Sequence, residues 1–373
     1  MIENNKNIQI EKLFTVLQKH YIERNCEKTD GMLDAIFTKE EIPMIIGSNM
    51  EELCIGREEV KELFEIDWKY WGEVTFDLHQ LHYTIDENIA YFLLPSKVHF
   101  EFNVTQNTYE YYLNHVLERL KESSLNHLKK EMNEILWDLN NAIFLKEEGK
   151  KEYDWSLIVS GMILKEKSGW RFVFMKFALD SPTYSNQRLQ QSFQYQQSFQ
   201  KFKNRLTTFS NRDKKDASIK QLLQLHLQNL ERISNSRILF ADLEQNVYFQ
   251  SLDFVDYMNK HSSHIQYCFD NSYLYQNNSQ YFIIIPSIYS YIIDSADMFI
   301  QLKEQLIKLK DLSISSKEQL FLMQNIMITK LLEVECGTQY SYAFRTTIGF
   351  SLKDHQLVIR EIHFSYPIVD ARD

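Results

Sequence analysis

Glycine and proline are scarce in this chain, nine and five among 373 residues. So few chain breakers exclude a loop-rich scaffold and imply long regular elements. Cysteine is sparse too. Cys26, Cys54, Cys268 and Cys336 are scattered, with no CxxC pair to make a zinc knuckle or a redox motif, which fits a reducing compartment. No Lys/Arg-rich block stands out, and the formal net charge is -10. Such a chain repels phosphate backbones, so no nucleic-acid partner is expected. The most apolar stretch, 281–300, is interrupted by Pro286, Ser287, Asp294 and Asp297, so no membrane partner is expected either. The N-terminal residues lack a basic region followed by an apolar core, which gives no signal peptide and a cytoplasmic expectation. A Gly-rich phosphate loop, a GxSxG elbow and an HExxH pair are all absent from the sequence.

Aromatic residues, by contrast, are plentiful at 14%, within a soluble-protein balance of 44% hydrophobic and 25% charged residues. The length suits two domains. Apolar residues at Ile10, Leu13, Phe14, Leu17 and Tyr21 have helical spacing, and short and longer helices are predicted around 30–37 and 57–71. Strands are predicted at 43–47, 74–83 and 89–102. A long charged helical region, 109–145, is broken near Ser123, and the hairpin 155–177 follows it.

A worn copy of this plan recurs, with a helix at 219–233, helical turns over 247–259 and strands at 265–275 and 281–293. A charged helix at 301–332, broken at Ser313 to Ser316, and a closing hairpin over 343–367 complete it. The best internal match sets Ala90-Tyr-Phe-Leu-Leu-Pro-Ser against Gln280-Tyr-Phe-Ile-Ile-Ile-Pro-Ser. Matching anchors in one order point to a duplicated domain. The expected organisation is a first domain over 1–185, a helical or flexible linker over 186–215, and a diverged second domain over 216–373. Apolar and aromatic residues at Tyr195, Phe199, Phe202, Leu206 and Phe209 recur at helical spacing and favour a helix in that linker.

The segments Tyr21-Ile-Glu-Arg-Asn, Met32-Leu-Asp-Ala-Ile-Phe-Thr, Ile46-Gly-Ser, Glu52-Leu-Cys-Ile-Gly-Arg-Glu-Glu-Val and Asp67-Trp-Lys-Tyr-Trp-Gly resemble the N-terminal half of SnoaL-like domains. The ending His363-Phe-Ser-Tyr-Pro, followed by Arg372, resembles their closing strand. These domains are bacterial members of the nuclear transport factor 2-like superfamily. The resemblance implies an α+β fold: two tandem cystatin-like cones, each a curved antiparallel sheet wrapped around helices, with a helical insertion before the last hairpin. It also implies a pocket at the open end of a cone, where it survives.

Trp68, Trp71, Tyr91, His99, Trp155 and Phe174 are the candidate lining residues for a pocket in the first cone, set against the plainer reading that they fill its core. Asp67, on the helix that carries Trp68 and Trp71, is the candidate general base, set against a role on the helix surface or as a cap. His79 and His82 fall on opposite faces of an expected strand, and His261 and His264 have no acidic or thiol partner at ligand spacing. No metal site and no cofactor are expected. The favoured function is non-catalytic binding of a small apolar or aromatic molecule, or an interaction role, by two domains packed as an internal pseudo-dimer, with further dimerisation left open. The alternative is an isomerase, cyclase or dehydratase with a pocket carboxylate as general base.

Overall fold

The computed structural model describes residues 8–122, 132, 135–137, 139–140, 149–179, 188–190, 192–210, 216–230, 233, 237–309, 312–314, 316–335, 337–353 and 356–368. In the first half the elements run α1 (Ile8–Glu23), α2 (Thr29–Ile36), β1 (Met44–Ile46), β2 (Leu53–Ile55), α3 (Arg57–Tyr70), β3 (Glu73–Phe76), β4 (His82–Asp86), β5 (Ile89–Val104), α4 (Gln106–Glu122), β6 (Gly149–Glu166) and β7 (Gly169–Leu179). The helix α5 (Phe193–Ser210) connects the halves. The second half runs α6 (Asp216–Gln228), β8 (Arg237–Ala241), β9 (Val247–Gln250), α7 (Ser251–His261), β10 (Ile265–Tyr267), β11 (Tyr273–Asn277), β12 (Gln280–Ile292), α8 (Ser295–Leu309), α9 (Ser316–Glu335), β13 (Gln339–Lys353) and β14 (Gln356–Ser365).

Among the described residues each half builds one seven-stranded sheet, and the two sheets have the same topology. The first is ordered β2-β1-β7-β6-β5-β3 with β4 on β5. The second is ordered β9-β8-β14-β13-β12-β10 with β11 on β12. The pairing of β1 with β7 and that of β8 with β14 are parallel, and the remaining pairs are antiparallel. An extra residue bulges from the last strand of each sheet, Val173 in β7 and Arg360 in β14. A bulge bends and twists the strand that carries it, and it does so at matching places in the two halves. The sheet curves around α1, α2 and α3 in the first half and around α6 and α7 in the second. This is the α+β cone expected from the sequence, present twice.

Several local expectations give way. The segment 74–83 is not one strand, because Leu78–Gln80 makes a 3₁₀ turn capped by Asp77. His79 therefore leaves the sheet before His82 enters β4. The helical turns expected over 247–259 begin as strand β9, and β8 has no counterpart in the sequence reading. Its residues, Arg237 to Ala241, are too few to display a period. The first charged helix is described only as α4 and a few residues beyond it; the break at Ser123, Pro182, the turn at Asp354 and His355, and Arg372 lie outside the described residues.

Alternation along the strands decides what each side chain meets. On β5, Ala90, Phe92 and Leu94 face the helices of the first cone, while Ile89, Tyr91 and Leu93 face the other sheet. The two sheets pack face to face across a core that includes Met162, Phe174, Phe282 and Ile284, with Tyr195, Phe199, Phe202 and Leu206 of α5 along one side. The Phe174 and Phe282 rings lie 4.3 Å apart. The Tyr91 hydroxyl donates to the carbonyls of Tyr281 (3.0 Å) and Phe350 (3.2 Å).

Gly349 lies against the Tyr91 ring, where an added Cβ would overlap ring carbons. Gly349→Ala is expected to lower stability by about 1–3 kcal/mol through overpacking of this junction. Chemical denaturation of the full chain checks it, and a variant as stable as the parent would show that the sheets have room to part.

Candidate functional site

In the first cone a cleft of about 120 Å³ opens beside the C-terminal turns of α3, lined by Gly47, Ser48, Glu52, Leu63, Ile66, Asp67, Tyr70, Trp71 and Phe177. A larger depression of about 580 Å³ lies along Thr75–Gln80 and Pro95–Lys97, but it is broad and open to solvent. The cleft is where apolar walls and ionisable groups converge, so it is the candidate site.

Three local structures position its carboxylates. The helix α1 ends at Arg24, whose backbone φ of 47° turns the chain while its amide still bonds the His20 carbonyl (2.9 Å). That turn aims the Arg24 guanidinium at the end of α3, where it donates to the carbonyls of Trp68 (2.7 Å), Asp67 (3.1 Å) and Trp71 (2.6 Å). A cation on the last carbonyls of a helix is favoured by the helix dipole. Tyr21, one turn earlier and buried, donates its hydroxyl to Asp67 Oδ2 at 3.1 Å. Glu52 closes the tight turn after β1 by accepting the Asn49 amide at 2.8 Å. A Cβ on Gly47 would overlap the Glu52 side chain, so glycine there lets the carboxylate fold back over the turn.

The Asp67 carboxyl is pushed up to about 7, first by its burial and then by the negative field of Glu52, with the Tyr21 hydrogen bond and Arg24 pulling the other way. Burial also drives the Tyr21 hydroxyl well above its ordinary range, and Asp67 adds to this. Tyr21 thus stays a donor at any physiological pH. At neutral pH Asp67 divides between a carboxylate, which accepts, and a neutral acid, which also donates.

The candidate residues from the sequence fall in different places. Asp67 and Trp71 line the cleft together. The helix-surface or capping role weighed for Asp67 gives way to a partly enclosed one, with its carboxyl bonded by Tyr21 and close to Glu52. Trp68 points the other way into the helix-side core, at 4% exposure. Tyr91 and Phe174 do not face the cone. Both lie on the opposite face of the sheet, against the second half. Trp155 is partly buried at the edge of the cone core, stacked on Phe100 at 6.0 Å. His99 stands at the surface, bonded to Asp154 (2.7 Å) and Glu101 (3.2 Å), which raise its pKa.

His99, Glu101 and Glu152 have ligand atoms close enough for one ion. Lys150 already bridges both glutamates, at 2.6 and 2.7 Å, so a cation is in place. In the second half, His261 bonds the Tyr289 hydroxyl (2.8 Å) and His264 the Ser290 carbonyl (3.0 Å).

Tyr21, Arg24 and Glu52 are the residues that sequence reasoning missed as site members. By spacing, Tyr21 was legible as one apolar position on α1. The signal that marked all three was their presence in the segments that carry the family resemblance, which the contacts with α3 now account for.

A second constellation, Ser160, His363 and Gln245, has the look of a nucleophile and base. Gln245 donates its amide to the carbonyls of Phe364 (2.9 Å) and Asp242 (3.1 Å), so its oxygen accepts from His363 Nε2 (2.9 Å), and Nδ1 then accepts from Ser160 (2.7 Å). Ser160 and His363 are wholly buried between the sheets, which leaves no approach for a substrate. This is an interface network.

Asp67 gives the fold a pH dependence of defined sign. Its folded pKa lies above its unfolded value, so its contribution is fully present below about pH 4 and is lost as pH rises to about 7. Asp67→Asn is expected to gain roughly 2–3 kcal/mol of stability over the parent between about pH 4.5 and about pH 8, allowing for partial solvent access. Denaturation at the two pH values checks it, and an unchanged difference would place the carboxyl in an ordinary solvated setting.

No family model matches the sequence, and no curated protein does. Solved structures do. A cystatin-like protein of unknown function from Nostoc punctiforme is 11% identical, covering 46% of this chain and 90% of its own, with a TM-score of 0.27. A ketosteroid isomerase-like protein from Erwinia carotovora atroseptica is 10% identical, covering 48% and 100%, with a TM-score of 0.28. A nuclear transport factor 2 superfamily protein from Salmonella enterica is 10% identical, covering 47% and 92%, with a TM-score of 0.28. The assignment rests on the sheet order, the matched bulges and the helix layer of each half. By that topology the chain is two nuclear transport factor 2-like, cystatin-like folds in tandem.

Proposed function

We propose that the protein binds a compact, ring-bearing molecule with an O–H or N–H donor in the cleft of the first cone. The observation that carries this reading is the pairing of Asp67 and Glu52 with the flat apolar walls of Trp71 and Phe177 in one cleft. The carboxylates accept hydrogen bonds from a donor group, and the aromatic walls take the ring. An anionic head group is disfavoured by Glu52 and by the ionised fraction of Asp67. The size of the cleft supports a ligand no larger than one substituted ring, since sites for drug-sized molecules run to roughly 300–1,000 Å³.

A second reading is proton transfer at a carbon next to a carbonyl. It is favoured by one observation, that Asp67 near 7 is tuned to the range in which a general base works at neutral pH. Such chemistry also needs an acidic donor opposite the base to hold an enolate. The Tyr21 hydroxyl is engaged by Asp67 itself, and the Tyr70 hydroxyl stands at the mouth on a residue that is 71% exposed, where water weakens it in that role.

Phenol, benzamide, benzylamine and benzoate form a discriminating probe set. Phenol and benzylamine are expected to raise the melting temperature progressively as their concentration rises, because a ligand of the folded state alone must stabilise it. Benzoate is expected to do so least. Trp71→Ala is expected to weaken phenol binding at least tenfold, and equal binding by that variant would remove the cleft from consideration. For the second reading, acetophenone in D₂O is followed by NMR. Exchange of its methyl protons that is catalysed by the parent and lost in Asp67→Asn would establish proton transfer.

A further inference from the structure

One wall of the cleft, the turn 47–52, is held largely by residues outside the first cone. From β13 of the second half, Arg345 crosses the interface and donates to the carbonyls of Asn49 (2.9 Å) and Ser48 (3.3 Å). The segment after β14 pairs with the same turn, with the Met50 amide on the Ile368 carbonyl and the Ile368 amide on the Ser48 carbonyl, both at 2.9 Å. From α5, Ser198 (2.7 Å) and Lys201 (3.0 Å) bond the Glu51 carboxylate.

Arg345 is fully buried, in a place where its charge is a liability. Burial pushes the guanidinium down to about 10, and Glu52 opposes that shift. Lys176 lies close enough that the two cations disfavour each other, and the Arg345 Nε has no hydrogen-bond partner among the described residues. Replacing such a group by an apolar one of similar size is often neutral or stabilising for a fold. The return for burying it is therefore local, at Ser48, Asn49 and the Glu52 carboxylate behind them.

The second half does not repeat the site it supports. Asp67 stands ten residues after the first residue of α3, and ten residues after the first residue of α7 stands His261, stacked on Tyr257 at 4.2 Å.

We propose that Arg345 is a positioning residue for the first cone's cleft, fixing the turn 47–52 and with it Glu52, so that the second half completes a site carried by the first. The inference rests on the cleft being the binding site only for its functional consequence; the mechanical part stands alone. Hydrogen exchange of the full chain, followed by mass spectrometry, tests it in Arg345→Met.

The expected result is at least tenfold faster exchange in peptides covering 47–53, with peptides covering 280–288 unchanged and a melting temperature equal to or above the parent's. Unchanged exchange at 47–53 would overturn the proposal. So would faster exchange across both sheets, which would make Arg345 a general interface residue. Arg345→Lys keeps the charge with a single donor group, and the same peptides read it should the methionine variant fail to fold. Phenol binding separates the two claims. A loosened turn with undiminished phenol affinity leaves the positioning role standing and removes Glu52 from ligand recognition.

Discussion

The arrangement of the two sheets depends on a set of polar groups shut between them. Lys176 is wholly buried, and its ammonium donates to the carbonyls of His363 (2.7 Å) and Arg345 (3.2 Å). Burial drives it well below its usual range, and Arg345 adds to this while Glu361 opposes it. Burial likewise raises Glu361 to about 8, against the pull of Lys176 and of the nearby Ser160 and Thr347 hydroxyls, none of which meets its oxygens in good hydrogen-bond geometry. Groups of this kind stabilise little on average, because desolvation offsets their attraction. They do make misalignment costly, since a one-residue slip between the sheets would part the buried Lys176 ammonium from its two carbonyl partners.

The pseudo-symmetry of that network is informative. Lys176 pairs with Ile46 at the last position of the parallel ladder in the first sheet, and His363 pairs with Ala241 at the last position in the second. The two residues are structural counterparts, and they meet across the interface as unlike partners. In a dimer of identical cones the same residue would face itself there. Two different sequences on one chain permit a lysine to meet a neutral histidine. They also permit Arg345 to reach a turn in the first cone from a position whose counterpart, Ile158, is apolar. Duplication on one chain thus allows an asymmetric interface, and the asymmetry is what turns one half into support for the cleft of the other.

The cleft itself shows a second constraint. Tyr21 and Arg24 from the end of α1 and Glu52 from the turn after β1 converge on the last turns of α3, where the Asp67 carboxyl must remain partly solvated and partly enclosed. Burial and the nearby Glu52 charge together raise its ionisation towards neutrality, and the fold accepts that cost because Tyr21 and Arg24 satisfy the surrounding polar atoms.

The amino-acid sequence by itself determined the repeated elements and their order. Helical spacing on α1, the hairpins 155–177 and 343–367, and the apolar positions Tyr195, Phe199, Phe202 and Leu206 of the linker are periodic enough to be read from local pattern. It also placed Asp67 and Trp71 together, since four residues on one helix share a face. What it left open were short strands such as β8, and the question of which face of β5 and β7 meets which partner. Tyr91 and Phe174 look like cone residues until a second sheet is laid against them, because a strand buried on both faces has no polar side to betray its orientation. Tertiary structure alone decided that, along with the union of Tyr21, Glu52 and Asp67 and the reach of Arg345 across the interface. Contacts between residues so far apart in the chain depend on how the layers stack, and local sequence carries no period for that.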